Sequence, residues 1–379
     1  MKATSMQTSA QNFNATDAII IFLKVILLLY CFLVGVSVLG GSFKFLGADF
    51  ANSLLQVTSN PFIGLISGMV ATTLFQSSSV TTSIVVGFVA GGALSLNGAI
   101  PMIMGANLGT SVTNTLVSLG FAKNKAQFSK AIAAATVHDF FNILTTLVIF
   151  PLEISFGFLE KASVYLSGAL FGGSSLTYSS PIKAAIKPVS KSIITFFSEF
   201  FSSGIAGILL IATSAIIITM TLYFIVKTTK KVVQSNKAEV IEKLLSKNAY
   251  SSVFFGIIIT IAVQSSSITT SLLVPLAGSG LLSLRSILPV TVGANIGTTA
   301  TALLAALAGN LSGLAIAIVH FLFNICGTLI WFVHPKMREV PIKFAQKLGE
   351  LSQRRRAFGL GYVATVFFVL PLVFMVIFR

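Results

Sequence analysis

Charge is scarce in this chain. Only 9% of its 379 residues are Asp, Glu, Lys or Arg, whereas 55% are apolar. A soluble fold of this length has no interior able to hide so much apolar side chain, which excludes a water-soluble enzyme or a soluble nucleic-acid-binding domain. Cysteine is nearly absent too. Cys31 and Cys326 both sit inside apolar runs, so packing is their expected role and a disulfide framework is not indicated. Strand-like alternation is missing, which argues against an outer-membrane barrel. The polar N-terminal stretch has neither a basic leader region nor a small-residue cleavage site, so the first apolar run reads as retained.

What remains is a set of long apolar runs, at residues 18–40, 99–119, 131–151, 205–226, 287–307, 314–333 and 358–378. Each is near the ~20 residues that cross a ~30 Å hydrocarbon core as a helix. The chain therefore reads as an all-α polytopic membrane protein whose first partner is the lipid bilayer. Its net charge of +15 is no sign of nucleic acid, because the bases lie between the runs. Lys227, Lys230, Lys231, Lys237, Lys243 and Lys247 form one group. Lys336, Arg338, Lys343, Lys347 and Arg354, Arg355 and Arg356 form a second, and Lys123, Lys125 and Lys130 a third. Basic loops tend to stay cytoplasmic, so these groups report topology. Lys24, near the start of the first run, is expected to snorkel to that surface.

Two polar octapeptides interrupt the apolar background, QSSSVTTS at 76–83 and QSSSITTS at 264–271. They belong to a longer repeat. With constant offset and no gap Gly68 meets Gly256, Pro101 meets Pro289, and GANLGTSVT at 105–113 meets GANIGTTAT at 293–301; after a small shift VHDFFN at 137–142 meets VHFLFN at 319–324. The chain is a duplicated unit. It divides into residues 1–60 (tail, first span and connector), 61–151 (repeat 1), 152–249 (external segment, linking helix and basic loop), 250–333 (repeat 2) and 334–379 (basic loop and last span).

Placing the basic loops inside makes the segment holding Gln76 enter from outside and the one holding Gln264 enter from the cytoplasm. That is the inverted-topology repeat common in secondary transporters. The same count puts the N-terminus in the cytoplasm, the C-terminus outside, and 152–203 outside, as an interfacial helix or an extra pair of crossings. Residues 61–75 make about 22 Å of helix, too short to span. Residues 61–92 and 250–280 therefore read as re-entrant helical hairpins, each turning at its QSSS. Irregular backbone at membrane depth is tolerated only where protein or water satisfies it, so the two turns are expected to share a site near the midplane.

Serine hydroxyls donate to oxyanions and offer lone pairs to cations, and a glutamine amide does both. Gln76, Ser77, Ser78 and Ser79 with Gln264, Ser265, Ser266 and Ser267 are suited to an anion together with hard alkali ions. Helices starting after each turn add positive dipole ends. Hydroxyls that merely bridge neighbouring helices are common, but an inverted pair, each followed by Gly-Ala-Asn-x-Gly-Thr, favours a site. Asn107 with Thr110, and Asn295 with Thr298, bring further polar groups to the hairpin tips. Asp139 is the one acid in the middle of a run and needs a partner, since burying it unpaired costs at least ~2.5 kcal/mol. Asn142, one turn on, can complete a cation site with it. The repeat places Phe321 where Asp139 stands. His138 and His320 read as structural, hydrogen-bonded histidines.

Paired QSSS motifs, each followed by GANxGT and a VHxxFN-like sequence, resemble the type II sodium-dependent phosphate cotransporters, bacterial members in particular. The likeness covers 61–142 and 250–324. It implies a secondary transporter, not an enzyme, that couples sodium entry to uptake of inorganic phosphate across the inner cell membrane, with no organic cofactor. It implies phosphate ligands among Gln76, Ser77, Ser78, Ser79, Asn107, Thr110, Ser266, Ser267 and Asn295, and sodium at Gln76, Gln264, Ser265 and Thr298. Electrogenic members carry an aspartate in the first VHD preceded by alanines four and six positions earlier. Here these are Asp139, Ala135 and Ala133, which implies a second sodium site at Asp139 and Asn142. The cysteine-bearing external loop of animal members and the C-terminal regulatory domain of some bacterial relatives have no counterpart in this sequence. A carrier of sulfate or a dicarboxylate is the alternative. An intramembrane serine hydrolase using Ser77 to Ser79 with His138 fails, because one nucleophile needs no inverted duplicate and no nucleophile signature surrounds these serines.

Overall fold

A computed structural model describes residues 15–46, 55–56, 58–170, 181–234 and 248–377. The N-terminal tail and Lys237, Lys243 and Lys247 lie outside the described residues. No strand occurs among the described residues. The helices are α1 (Ala15–Ser42), α2 (Pro61–Phe75), α3 (Ser78–Ala90), α4 (Leu96–Gly109), α5 (Val112–Leu119), α6 (Lys125–Phe156), α7 (Phe158–Leu170), α8 (Pro181–Phe200) and α9 (Ser203–Gln234). After residue 248 follow α10 (Ala249–Val263), α11 (Ser266–Ser271), α12 (Leu273–Gly278), α13 (Leu284–Ala306), α14 (Leu311–Trp331), α15 (Pro335–Arg354), α16 (Ala357–Ala364) and α17 (Leu370–Ile377). A π-helical turn, Thr365–Val369, joins the last two.

Among the described residues, six segments are long and apolar enough to cross a membrane. They correspond to six of the seven apolar runs. The exception is 99–119, expected as one crossing and found broken between α4 and α5. At the break the helix tightens, with Thr110 N donating to Asn107 O at 3.3 Å, and that carbonyl also takes a bond from outside the segment. Asn142 Nδ2 donates to Asn107 O at 2.8 Å, the acceptor that the Ser111 N–H takes in a continuous helix. The repeat counterpart, α13, runs unbroken through the equivalent position. The second half is broken elsewhere, between α11 and α12, where Pro275 has no N–H for the carbonyl of Ser271. In the 152–203 region the chain forms α7 and α8, and α8 carries Lys183, Lys187, Lys191 and Glu199.

Glycines set the closest helix pairs, and they do so twice at the same places. A Cβ on Gly68 would meet the Met102 carbonyl and one on Gly105 the Leu65 carbonyl, which locks α2 against α4. A Cβ on Gly256 would meet Val290 O and one on Gly293 would meet Val253 O, locking α10 against α13. Small residues at such contacts let helix backbones approach where lipid gives no hydrophobic drive. Around these pairs, α1 packs on α8 and α9, α6 on α15, and α14 touches α3, α4, α7 and α13. The largest apolar cluster includes Phe32, Val86, Ile103, Phe150 and Phe323, so residues of both halves share one core.

Candidate functional site at the two QSSS turns

Each half ends its first helix in the same backbone device. Gln76 takes φ 51°, ψ 29° and Gln264 takes φ 57°, ψ 27°, and among the described residues these are the two non-glycine positions with positive φ. A left-handed conformation costs a side-chain-bearing residue roughly 1–2 kcal/mol, and glycine would avoid it. Retaining glutamine at both corners points to a use for the carboxamide. The next residue, Ser77 or Ser265, is extended and caps the following helix, accepting from Val80 N at 3.3 Å or Ile268 N at 3.4 Å.

The two corners face one another. A cavity of about 220 Å³ is lined by Gln76, Ser77 and Thr113 from the first half, Gln264, Ser265 and Ser267 from the second, and Thr219 and Tyr223 from α9, among others. No lining residue is charged. Ser79 Oγ donates to the Gln264 backbone carbonyl at 3.3 Å and Ser267 Oγ to the Thr110 carbonyl at 3.5 Å, so each motif reaches into the opposite half. Gln264 is buried, its Nε2 donating to Ile261 O at 2.7 Å and its Oε1 accepting from Thr301 Oγ1 at 2.9 Å. Gln76 is exposed. Ser78, Ser79, Ser266 and Ser267 are buried, and Ser266 Oγ has no hydrogen-bond partner.

The asparagines lie elsewhere, in a second buried cluster. Asn295 Nδ2 donates to Asn142 Oδ1 at 2.7 Å, and Asn295 Oδ1 pairs with His138 Nε2 at 2.6 Å. Asn324 Nδ2 reaches Asn107 Oδ1 at 3.5 Å. Thr110 and Thr298 bond within their own helices, to Ala106 O at 2.9 Å and Ala294 O at 2.8 Å. Sequence reasoning grouped Asn107, Thr110 and Asn295 with the phosphate ligands; none of these three, nor Thr298, lines the cavity between the turns. His138 is a bonded histidine as expected, whereas neither ring nitrogen of His320 has a partner.

Asp139 is fully buried on α6, and no hydrogen bond joins it to Asn142 one turn on. The Tyr362 hydroxyl of α16 faces it, but neither carboxylate oxygen meets a donor at hydrogen-bonding geometry. Thr301 and Thr113 are the functional candidates that sequence reasoning passed over. Their signal was present, since they are the last residues of the repeated nonapeptides and occupy the same register.

The family model described as Na+/Pi-cotransporter matches residues 31–164 and 217–349. The chain belongs to this family. The sodium-dependent phosphate transport protein 2A of Rattus norvegicus is 34% identical over 416 residues, covering 90% of the chain and 65% of the relative. The sodium-dependent phosphate transport protein 2B of Homo sapiens is 32% identical over 436 residues, covering 91% of the chain and 63% of the relative. The chain thus spans a little under two thirds of the length of these relatives. No solved structure matches.

Proposed function

We propose that this family member is a secondary transporter coupling sodium entry to uptake of inorganic phosphate across the inner cell membrane. The carrying observation is the uncharged cavity between two duplicated glutamine-serine corners. Hydroxyls and amides donate to an oxyanion, but without a lysine or arginine they leave its charge uncompensated in a partly dehydrated site. Sodium held on the Gln264, Ser265 and Gln76 oxygens supplies that charge, so each ligand raises the affinity of the other. Ser77 and the N-terminus of α3, whose first N–H groups have no intrahelical acceptor, take the anion.

In this reading the two halves have inverted topology and each corner is the tip of a re-entrant hairpin. The cavity reaches Tyr223 and Val226 of α9, next to Lys227, and the basic-loop rule puts that end in the cytoplasm. The structure is then inward-open. Asp139, buried with neither carboxylate oxygen hydrogen-bonded, is the second sodium position and makes the cycle electrogenic; Asn142 steadies the network beside it. The test is labelled phosphate uptake into proteoliposomes. Uptake against a gradient only when sodium is supplied supports the reading, and phosphate uptake or binding indifferent to replacement of sodium by choline overturns it. Sulfate or succinate competing as well as unlabelled phosphate would reassign the anion.

A further inference from the structure

The two halves carry the same polar groups at the same register, yet they are bonded differently. In the second half Thr301 Oγ1 donates to Gln264 Oε1 at 2.9 Å and lies 3.4 Å from Ser79 Oγ, which itself donates to Gln264 O at 3.3 Å. The repeat-related set is Thr113, Gln76 and Ser267, and none of its three equivalent bonds is made. Thr113 Oγ1 is buried without a partner, Gln76 is exposed, and Ser267 turns to Thr110 O instead.

The asymmetry recurs at two further places. Thr260 Oγ1 ties the two arms of the second corner by donating to Thr269 Oγ1 at 2.9 Å, whereas its counterpart Thr72 has no partner. In the asparagine cluster, Asn295 is held by His138 and Asn142 at 2.6 and 2.7 Å, whereas Asn107 meets Asn324 at 3.5 Å and His320 not at all. The two threonine differences, at the corners, have the same sense, whereas in the asparagine cluster both ring nitrogens of His320 and Asn324 Oδ1, in the second half, are unpaired. At the corners, the threonine contacts around Gln264 are closed and those around Gln76 are open.

A buried hydroxyl left unpaired is costly and is relieved in a conformation that gives it an acceptor. For Thr113 and Thr72 that conformation is already drawn by the other half of the molecule. We infer that the chain holds one polar clasp in two copies that close in turn, with Thr113 the positioning residue that takes up Gln76 when Thr301 releases Gln264. This rests on the transport reading, which requires two opposite-facing states, and it adds the contacts that define them. In the state shown, Gln76 is open to the cavity and Gln264 is tied. In the other state Thr113 binds Gln76 Oε1 and Ser267 turns to Gln76 O, while Thr301 becomes the unpaired hydroxyl.

The test uses the full chain with Cys31→Ser, Cys326→Ala and a Val226→Cys reporter on the α9 wall of the cavity. Labelling by a membrane-impermeant maleimide is followed in inside-out vesicles. Removing the closed clasp by Thr301→Val is expected to slow labelling roughly 3- to 10-fold, the population shift that loss of one hydrogen bond produces. Thr113→Val is expected to leave labelling as fast or faster, and Thr301→Ser and Thr113→Ser, which keep the hydroxyls, to behave as the parent. Shifts of the same sign in both valine variants, or no shift in Thr301→Val, would overturn the inference. Sodium-dependent uptake by the parent is measured alongside. Opposite labelling shifts in a parent that transports no phosphate would overturn the substrate and leave the clasp standing.

Discussion

Thr301 Oγ1 donates to the Gln264 carboxamide at 2.9 Å, whereas Thr113, at the same register in the other half, donates to nothing among the described residues. The same nonapeptide position is therefore satisfied once and unsatisfied once, and the two glutamines are unequal in how firmly they are held.

That inequality separates the effects of Gln264→Ala and Gln76→Ala. Both are expected to abolish most sodium-coupled uptake. Gln264→Ala also removes the shorter bond of the buried Thr301 hydroxyl, leaving it only Ser79 Oγ at 3.4 Å, and lowers thermal stability in detergent by about 1 kcal/mol. Gln76→Ala removes an exposed side chain held in a left-handed conformation, so stability stays close to that of the parent. Thermal unfolding of the two purified variants checks this, and equal losses would contradict the placement of Gln264.

Asp139 is expected to carry the voltage dependence. Moving one elementary charge through ~100 mV is worth ~2.3 kcal/mol. The parent should accumulate more phosphate when the interior is negative, and Asp139→Gly should keep sodium-dependent uptake while losing most of that response. Uptake under potassium diffusion potentials of either sign measures it. Equal voltage dependence in both proteins would return Asp139 to a structural carboxyl facing Tyr362.

Asn295→Ala should be among the most damaging single changes outside the cavity. It removes the partner of His138 Nε2 and of Asn142 Oδ1 together, leaving two buried polar atoms unpaired at about 1–3 kcal/mol each. Asn107→Ala should cost less, because its link to Asn324 is already long at 3.5 Å and its other side-chain bond, Nδ2 to Ile103 O at 2.9 Å, stays within its own helix. Comparing the two melting temperatures decides it, and a larger loss in Asn107→Ala would reverse the order.

The glycines give a control pair. Gly105→Ala drives a Cβ onto the Leu65 carbonyl between α2 and α4, and rigid backbone on both sides leaves no room to yield. It should express poorly or fall apart in detergent. Gly92→Ala, at φ +78° with nothing within 4 Å of the added methyl, should cost only about 1 kcal/mol of backbone strain and keep uptake. Size-exclusion profiles of the two distinguish a steric fault from a conformational one.

Much of this was legible in the residues themselves. Apolar run length reports on the lipid solvent, and six of seven runs are helices long enough to span it. Repeat register located both glutamine corners, because a polar stretch at apolar depth must end a helix and cap the next. The seventh run is interrupted where Asn107 O accepts both the Thr110 N–H and, from outside the segment, the Asn142 amide of α6. No local propensity records such a contact.

The sequence by itself determined the membrane setting, the duplication and the neutral, oxygen-rich chemistry of the two corners, since each depends on composition and short-range order. Only the tertiary structure decided that Asn107 and Asn295 sit apart from the cavity, that Asn295 bonds His138 of the other half, and that Thr301 holds Gln264 while Thr113 holds nothing. These are contacts between helices far apart in the chain. Near-identical motifs can fill them in two ways, and which half is closed is a property of the packed conformation, not of the residues.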